Sequence, residues 1–320
     1  MFGLCCNPFM PNQTESMRAQ AQEFFSGLQD KICRALESAD GQARFREDQW
    51  HREGGGGGRS RVMEGGAIFE KAGVNFSAVA GALPEEFARK IGEGVTGAEG
   101  REFFATGVSL VLHPDNPYIP TVHANFRYLE KGNACWFGGG SDLTPYYPFR
   151  EDVVHFHQTL KDACDKHDAE HYPRFKKWCD EYFFIKHRNE TRGVGGIFFD
   201  YLQGNTEKIF AFVKDAAEAF LPAYLPIVER RRQAEFGERE KSFQLIRRGR
   251  YAEFNLVYDR GTVFGLETRG RTESILMSLP PLASWVYDYQ PESHTPEAEA
   301  WTFFTAQDWL GTSSTAKPNS

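Results

Sequence analysis

Between residues 15 and 38, Met17, Phe24, Phe25, Leu28, Ile32 and Leu36 recur at spacings of three and four. That period places them on one face of an amphipathic helix, which is expected to end before Asp40-Gly41. The period then changes. RFREDQW and VNFSAVAG read as strands, interrupted by the glycine run 54–58 and by Gly65-Gly66. Five glycines in a row offer nothing to pack, so that run is expected as a surface loop, passive or acting as a hinge or lid beside a substrate. Three extended segments at 102–113, 121–130 and 134–137 follow, with Pro- and Gly-rich joints that suit an antiparallel meander. Helical spacing returns at 151–167 and 172–187, a strand pattern at 195–202, and helix at 206–236 with interruptions at Pro222 and Pro226. Residues 250–258 and 263–267 predict a hairpin turning at Asp259-Arg260-Gly261, 274–279 a short apolar helix, and the end of the chain a disordered tail. No internal repeat or dividing linker is visible. The pattern predicts an α+β fold: one domain built on a large antiparallel sheet with helices on both faces.

Composition narrows the function. With 41% hydrophobic and 25% charged residues in 320, the chain can bury a substantial core. A net charge of −7 argues against nucleic-acid binding, which depends on clustered cations. An anionic substrate would have to be held by locally placed arginine. Six cysteines without C-x-x-C spacing exclude a zinc knuckle or disulfide scaffold and fit a reducing compartment. The first ten residues carry no charge, and Asn7, Pro8 and Pro11 break their apolar stretch. No signal peptide and no membrane span are therefore expected, and the location is read as cytoplasmic.

The candidate chemistry concentrates in a few stretches. In a strand over 121–128, Thr121, His123, Asn125 and Arg127 share one face, with Val122, Ala124, Phe126 and Tyr128 on the other. If the strand pairs with the preceding one through the turn 114–120, Ser109 and His113 join the same polar wall. Three glycines in Phe137-Gly138-Gly139-Gly140-Ser141-Asp142 would let backbone approach something flat, with Asp142 at the edge of the passage as a base or an acceptor for N–H groups. The run is not a dinucleotide fingerprint, because Asp142 and Pro145 interrupt it. Arginines 188, 192, 247, 248, 250, 260, 269 and 271 supply planar forks suited to a substrate with several carboxylates. Among the nine histidines, His157 and His187 fall on helical stripes that also suit core positions, and the partner position of an H-x-D iron motif holds Asn125.

Five stretches carry a resemblance to oxygen-dependent coproporphyrinogen III oxidases: WHREGGGGGRSRVMEGGAIFEKAGVNFS, VSLVLHPDNPYIPTVHANFRY, WFGGGSDLTPYY, YPRFKKWCDEYFFIKHRNETRGVGGIFFD and RRGRYAEFNLVYDRGTVFGLETRGRTESILMSLPP. The resemblance spans one catalytic domain over 17–311, leaving a variable segment 1–16 and a tail 312–320. It implies a homodimer with a seven-stranded antiparallel sheet and coproporphyrinogen III in a deep cleft. It also implies molecular oxygen as co-substrate, without flavin, haem or nicotinamide. By position, His123 matches a proton donor and Asp142 an acid engaging the pyrrole nitrogens. Ser109, Asn125, Phe126 and Arg127, together with Arg269, Gly270 and Arg271, match substrate-binding positions; Arg192, Arg248 and Asp259 are expected beside them. His113, His123, His157 and His187 match a divalent-metal set assigned in bacterial-type relatives. Two rival readings follow: a metal-dependent oxygenase built on those histidines, and a tetrapyrrole carrier that binds without reacting.

Overall fold

The first amphipathic stretch forms α1 (Gln13–Asp40) in the computed structural model, which describes residues 13–311 except 84, 90, 91, 93, 94, 268 and 269. Arg269 and the predicted tail lie outside the described residues. Met17, Phe25, Leu28, Ile32 and Leu36 are buried on the helix face, as their spacing requires. Asp40 closes the helix by accepting the backbone N–H groups of Ala43, Ala67, Ile68 and Phe69. Burial raises the pKa of that carboxyl, but the backbone donors outweigh it and the net shift is downward.

The strands β1 (Arg46–His51), β2 (Gly56–Glu64) and β3 (Phe69–Ala82) come next, followed by a short α2 (Glu85–Ala88). The meander β4 (Glu102–Pro114), β5 (Thr121–Lys131) and β6 (Ala134–Thr144) then leads into α3 (Arg150–Asp165) and α4 (His171–Tyr182). A two-stranded ribbon, β7 (Phe184–Ile185) and β8 (Glu190–Thr191), precedes β9 (Gly195–Leu202). Six helices follow: α5 (Thr206–Glu218), α6 (Phe220–Arg231), α7 (Glu238–Val257), α8 (Arg260–Glu267), α9 (Thr272–Leu276) and α10 (Pro296–Trp301). The main sheet has seven strands in the order β1-β2-β3-β4-β5-β6-β9, antiparallel at every pairing. One face is apolar: Val74, Val108, Leu110, Val122, Ala124, Phe126 and Phe199 pack with α1, α3, α5 and α6 in a single core cluster. Over the other face, Met277 is seated against Gly73, and Asn75 Nδ2 donates to the Ser274 carbonyl at 2.7 Å.

Four sequence readings are corrected. Residues 250–267 form no hairpin; they are the end of α7 and all of α8. Eleven residues of α7 are buried, arginines included, so burial on most sides hides the helical stripe that a half-exposed helix would show. Asp259, placed in the predicted turn, instead caps α8 by accepting the Thr262 N–H at 2.7 Å. The glycine run is only partly a turn: Gly56, Gly57 and Gly58 enter β2 and pair with β1 and β3. A Cβ on Gly58 would lie 2.5 Å from the Trp50 ring, so glycine lets the indole rest on the sheet. Finally, β6 does not stop at Phe137. It carries the three glycines through the sheet between β5 and β9, and helix α4 ends at Tyr182, short of His187.

Candidate active site

Register turns scattered polar residues into one surface, because directly paired residues of an antiparallel sheet share a face. Asp48, Ser60, Asn75, Ser109, Asn125 and Gly140 pair in succession across six strands. On one side of this row runs a second, Trp50, Gly58, Ser77, Gly107, Arg127 and Gly138. On the other side, Val111, His123, Asp142 and Gly196 pair in turn. The result is a floor of small and polar groups, covered over Ser60 and Asn75 by Ser274 of α9 and partly exposed at Ser109, Asn125 and Arg127. The polar wall predicted from the alternation on β5 is thereby present, with Ser109 opposite Asn125. Phe126 is the exception among the β5 residues expected to touch substrate. Its ring is 1% exposed and belongs to the apolar core on the far face.

At the centre stands a three-residue chain. His123 Nδ1 lies 2.8 Å from Asp142 Oδ1, and Arg192 Nη2 donates to Asp142 Oδ1 at 2.9 Å and Oδ2 at 2.8 Å. Arg192 Nη1 donates to Asn255 Oδ1 at 2.8 Å, and its guanidinium lies 4.0, 4.6 and 4.8 Å from the ring centres of Phe183, Tyr251 and Phe254. Burial pushes the Asp142 carboxyl up, yet the Arg192 cation and the His123 bond reverse this and leave it below the ordinary carboxylate range. Asp142 is therefore an anion, and the His123 nitrogen facing it must carry the proton. With Nδ1 engaged inward and 21% of the side chain exposed, Nε2 is the nitrogen available to a ligand. Asp142 itself is 1% exposed and does not line the passage, as the sequence reading had placed it. The difference arises because the buried Arg192 covers both oxygens of the carboxylate.

Arginine divides into two groups. Arg127 lies on the polar face, donating to Asn125 Oδ1 at 3.1 Å and to Asp200 Oδ2 at 2.6 Å. Arg271, the residue before α9, pairs with Asp48 and donates to Ser274 Oγ at 2.8 Å, while Gly270 is half-buried beside it. By contrast Arg248 is 1% exposed and held by Glu70, the Pro114 carbonyl and the Tyr146 hydroxyl. Arg247 pairs with Glu190, and Arg188 with Glu253. These three carry the packing of α7, so the expected substrate role of Arg248 does not fit its position. Asp259 is likewise spent, on capping α8 and on the Tyr182 hydroxyl at 2.9 Å.

The four histidines of the expected metal set are not brought together. His113 lies with Nδ1 3.1 Å from Thr121 Oγ1 and Nε2 2.9 Å from the Ser278 carbonyl. His157, on α3, is held by the Tyr172 hydroxyl at 2.9 Å and the Val194 carbonyl at 3.0 Å. Burial pushes each of these two imidazoles down to about 3. His187, between β7 and β8, is bonded to Tyr258 and Glu253. Among the described residues no three His, Cys, Asp or Glu side chains are grouped as a metal would require. The residues present do not fit a four-histidine centre.

Sequence reasoning missed Asp48, Trp50 and Asp200. Asp200 left one trace, a lone carboxylate in the apolar run GIFFDYL; the others gave none, because Asp48 meets an arginine from the far end of the chain and Trp50 is seated by the bare glycine opposite it.

Comparison with known proteins agrees with this geometry. The family model described as coproporphyrinogen III oxidase matches residues 20–309. A protein of Prochlorococcus marinus (strain NATL1A), named oxygen-dependent coproporphyrinogen-III oxidase, is 53% identical over 321 aligned positions, covering 92% of this chain and 91% of its own. A protein of Parasynechococcus marenigrum (strain WH8102) with the same name is 52% identical over 335 positions, covering 96% and 91%. With the match running through every strand of the polar floor and both of its flanking arginines, the chain belongs to the coproporphyrinogen III oxidase family.

Proposed function

We propose that this chain carries out the oxygen-dependent oxidative decarboxylation of two propionates of coproporphyrinogen III, yielding protoporphyrinogen IX in haem biosynthesis. Each propionate and one oxygen molecule give one vinyl group, one carbon dioxide and one hydrogen peroxide. The observation that carries the reading is His123: a base whose inner nitrogen is fixed by a buried anion and whose outer nitrogen stands on a glycine-floored polar face. The Asp142 carboxylate keeps the proton on Nδ1, so Nε2 offers a lone pair to the pyrrole N–H. Loss of that proton makes the electron-rich ring reactive toward oxygen, which takes up the two electrons that leave the substrate. The peroxide formed on the pyrrole carbon takes the proton of the propionate β-carbon, carbon dioxide and hydroperoxide leave as the vinyl group forms, His123 returns its proton to the pyrrole nitrogen, and a proton from solvent completes hydrogen peroxide. Proton abstraction from the pyrrole, first expected of Asp142, thus falls to His123, with Asp142 positioning it. Arg127 and Arg271 grip carboxylates at two flanks of the floor, and Ser109 and Asn125 lie between them.

Turnover is expected with oxygen and without an added redox cofactor. A second copy of the chain is proposed as partner, supported by the exposed apolar residues Leu256, Val257, Leu282, Trp285, Val286 and Tyr287. Phe254, 0% exposed, fills the core between Phe183 and Tyr182 and does not add to this surface. A cytoplasmic setting agrees with four unpaired cysteines among the described residues, and no described helix is long and apolar enough to cross a membrane.

The test is anaerobic mixing with coproporphyrinogen III after exhaustive chelation, followed by admission of oxygen. Oxygen uptake with two carbon dioxide molecules released per tetrapyrrole supports the reading. Binding without oxygen uptake would make the protein a carrier, and activity lost on chelation but restored by one metal would favour the histidine-site reading.

A further inference from the structure

Arg127 projects from β5 and Asp200 from β9, so the strand between them, β6, separates the two backbones. Their side chains nonetheless meet at 2.6 Å by crossing over Gly138. A Cβ at Gly138 would lie 2.4 Å from Asp200 Oδ1 and 3.0 and 3.1 Å from Arg127 Nε and Nη2. The absence of a side chain at 138 is what lets a guanidinium and a carboxylate lie flat on the sheet. The pair is unequally exposed, 31% for Arg127 and 7% for Asp200. Asp200 is further fixed because its Oδ1 accepts the Tyr201 N–H at 3.0 Å, and Tyr201 has a positive φ of 52°. A buried, doubly held carboxylate thus faces a half-exposed cation. Two of the five guanidinium donors are spent on Asn125 and Asp200, and the exposed side of the fork is turned to the polar face.

We propose that Asp200 is a positioning residue for substrate binding, holding the Arg127 fork in the plane in which it receives a propionate carboxylate. Bidentate recognition depends on the orientation of the fork as well as its charge, and an arginine free to rotate would have to be ordered anew by each substrate. The proposal rests on the reading of this face as the substrate site. Asp200 touches no reacting atom, so its effect belongs in affinity and not in the chemical step.

Asp200→Asn keeps the shape and the Oδ1 acceptor while removing the charge. Steady-state turnover of coproporphyrinogen III by the full chain, with oxygen uptake as readout, is expected to show KM raised about tenfold and kcat within about threefold of the parent. In an Arg127→Ala background the same substitution should add little, because the residue it orients is gone. Gly138→Ala, which pushes the pair apart without altering any charge, should reproduce the rise in KM and decides the matter if Asp200→Asn does not fold. Unchanged KM in a folded variant overturns the proposal, as does an equal further loss in the Arg127→Ala background. If neither Asp200→Asn nor Gly138→Ala folds, the pair is scaffold and the proposal falls. Should the parent protein itself neither bind nor oxidise coproporphyrinogen III, the underlying reading fails, and this proposal with it.

Discussion

Replacing Asp142 by Asn removes one charge and almost no volume from β6. Its carboxylate accepts three hydrogen bonds from two nitrogens: Arg192 Nη2 on both oxygens and His123 Nδ1 on one. An amide cannot satisfy all three. With its NH2 toward Arg192 two donors collide; with its NH2 toward His123 the imidazole must shift its proton to Nε2 and lose the lone pair assigned to the reaction. Breaking a buried ion pair by removing one partner costs about 3–5 kcal/mol. The lower end applies here, because Asn255 and three aromatic rings continue to hold Arg192. Unfolding entropy of ~2.1 cal/mol/K per residue makes a loss of ~3 kcal/mol a fall of about 4–5 °C in Tm for this chain. The variant therefore stays folded at room temperature, and its kinetics can be measured. Turnover at saturating coproporphyrinogen III should drop ~10²- to 10⁴-fold, the range of a positioned acid or base, while anaerobic affinity stays near normal. The double variant with His123→Ala is the decisive sample. If Asp142 works through His123, Asp142→Asn adds nothing to the loss caused by His123→Ala. A double variant slower than either single one by the product of their effects, or normal turnover in Asp142→Asn, refutes the reasoning.

Arg271→Ala should weaken substrate affinity by about 1.5–3 kcal/mol with kcat nearly unchanged, since hydrogen bonds to charged groups contribute on that order, and Lys should restore only part. Asp48→Asn should act in the opposite direction and lower KM, because Asp48 occupies the Arg271 fork that a propionate needs; a raised KM would show Asp48 to support Arg271 and not to compete for it. Stability should fall as pH drops from 6.5 toward 3, since His113 and His157 are buried as neutral imidazoles and the unfolded chain binds protons that the folded one refuses. By pH 5 each contributes a loss of ~2 kcal/mol, and His157→Gln should remove its share of the slope; urea midpoints that do not change between pH 7 and 5 would count against this. Replacing Val286 and Tyr287 by Asp should convert a dimer to a monomer in light scattering, whereas a parent that is already monomeric at micromolar concentration excludes the proposed self-association.

Local period was enough to recover α1, the strands β4 and β5 and the α5–α6 pair, because each is half-buried and its apolar positions mark one side. The two faces of β5 were legible for the same reason: alternation is a property of the strand alone, and it separated His123, Asn125 and Arg127 from the core-facing Val122, Ala124 and Phe126. Where an element is buried all round, as α7 is, or where glycine carries a strand through the sheet, as in β6, the period vanishes and the sequence reading failed. Residue type also marked arginine as the grip for carboxylates, but not which arginines are engaged. That is a question of partners: Arg247 and Arg248 meet Glu190 and Glu70 inside the protein, while Arg127 and Arg271 reach the polar face. The roles of Asp142 and Asp200 were equally out of reach. A carboxylate buried against Arg192 or laid across Gly138 is decided by the register of strands far apart in the chain, and register forms only when the sheet closes.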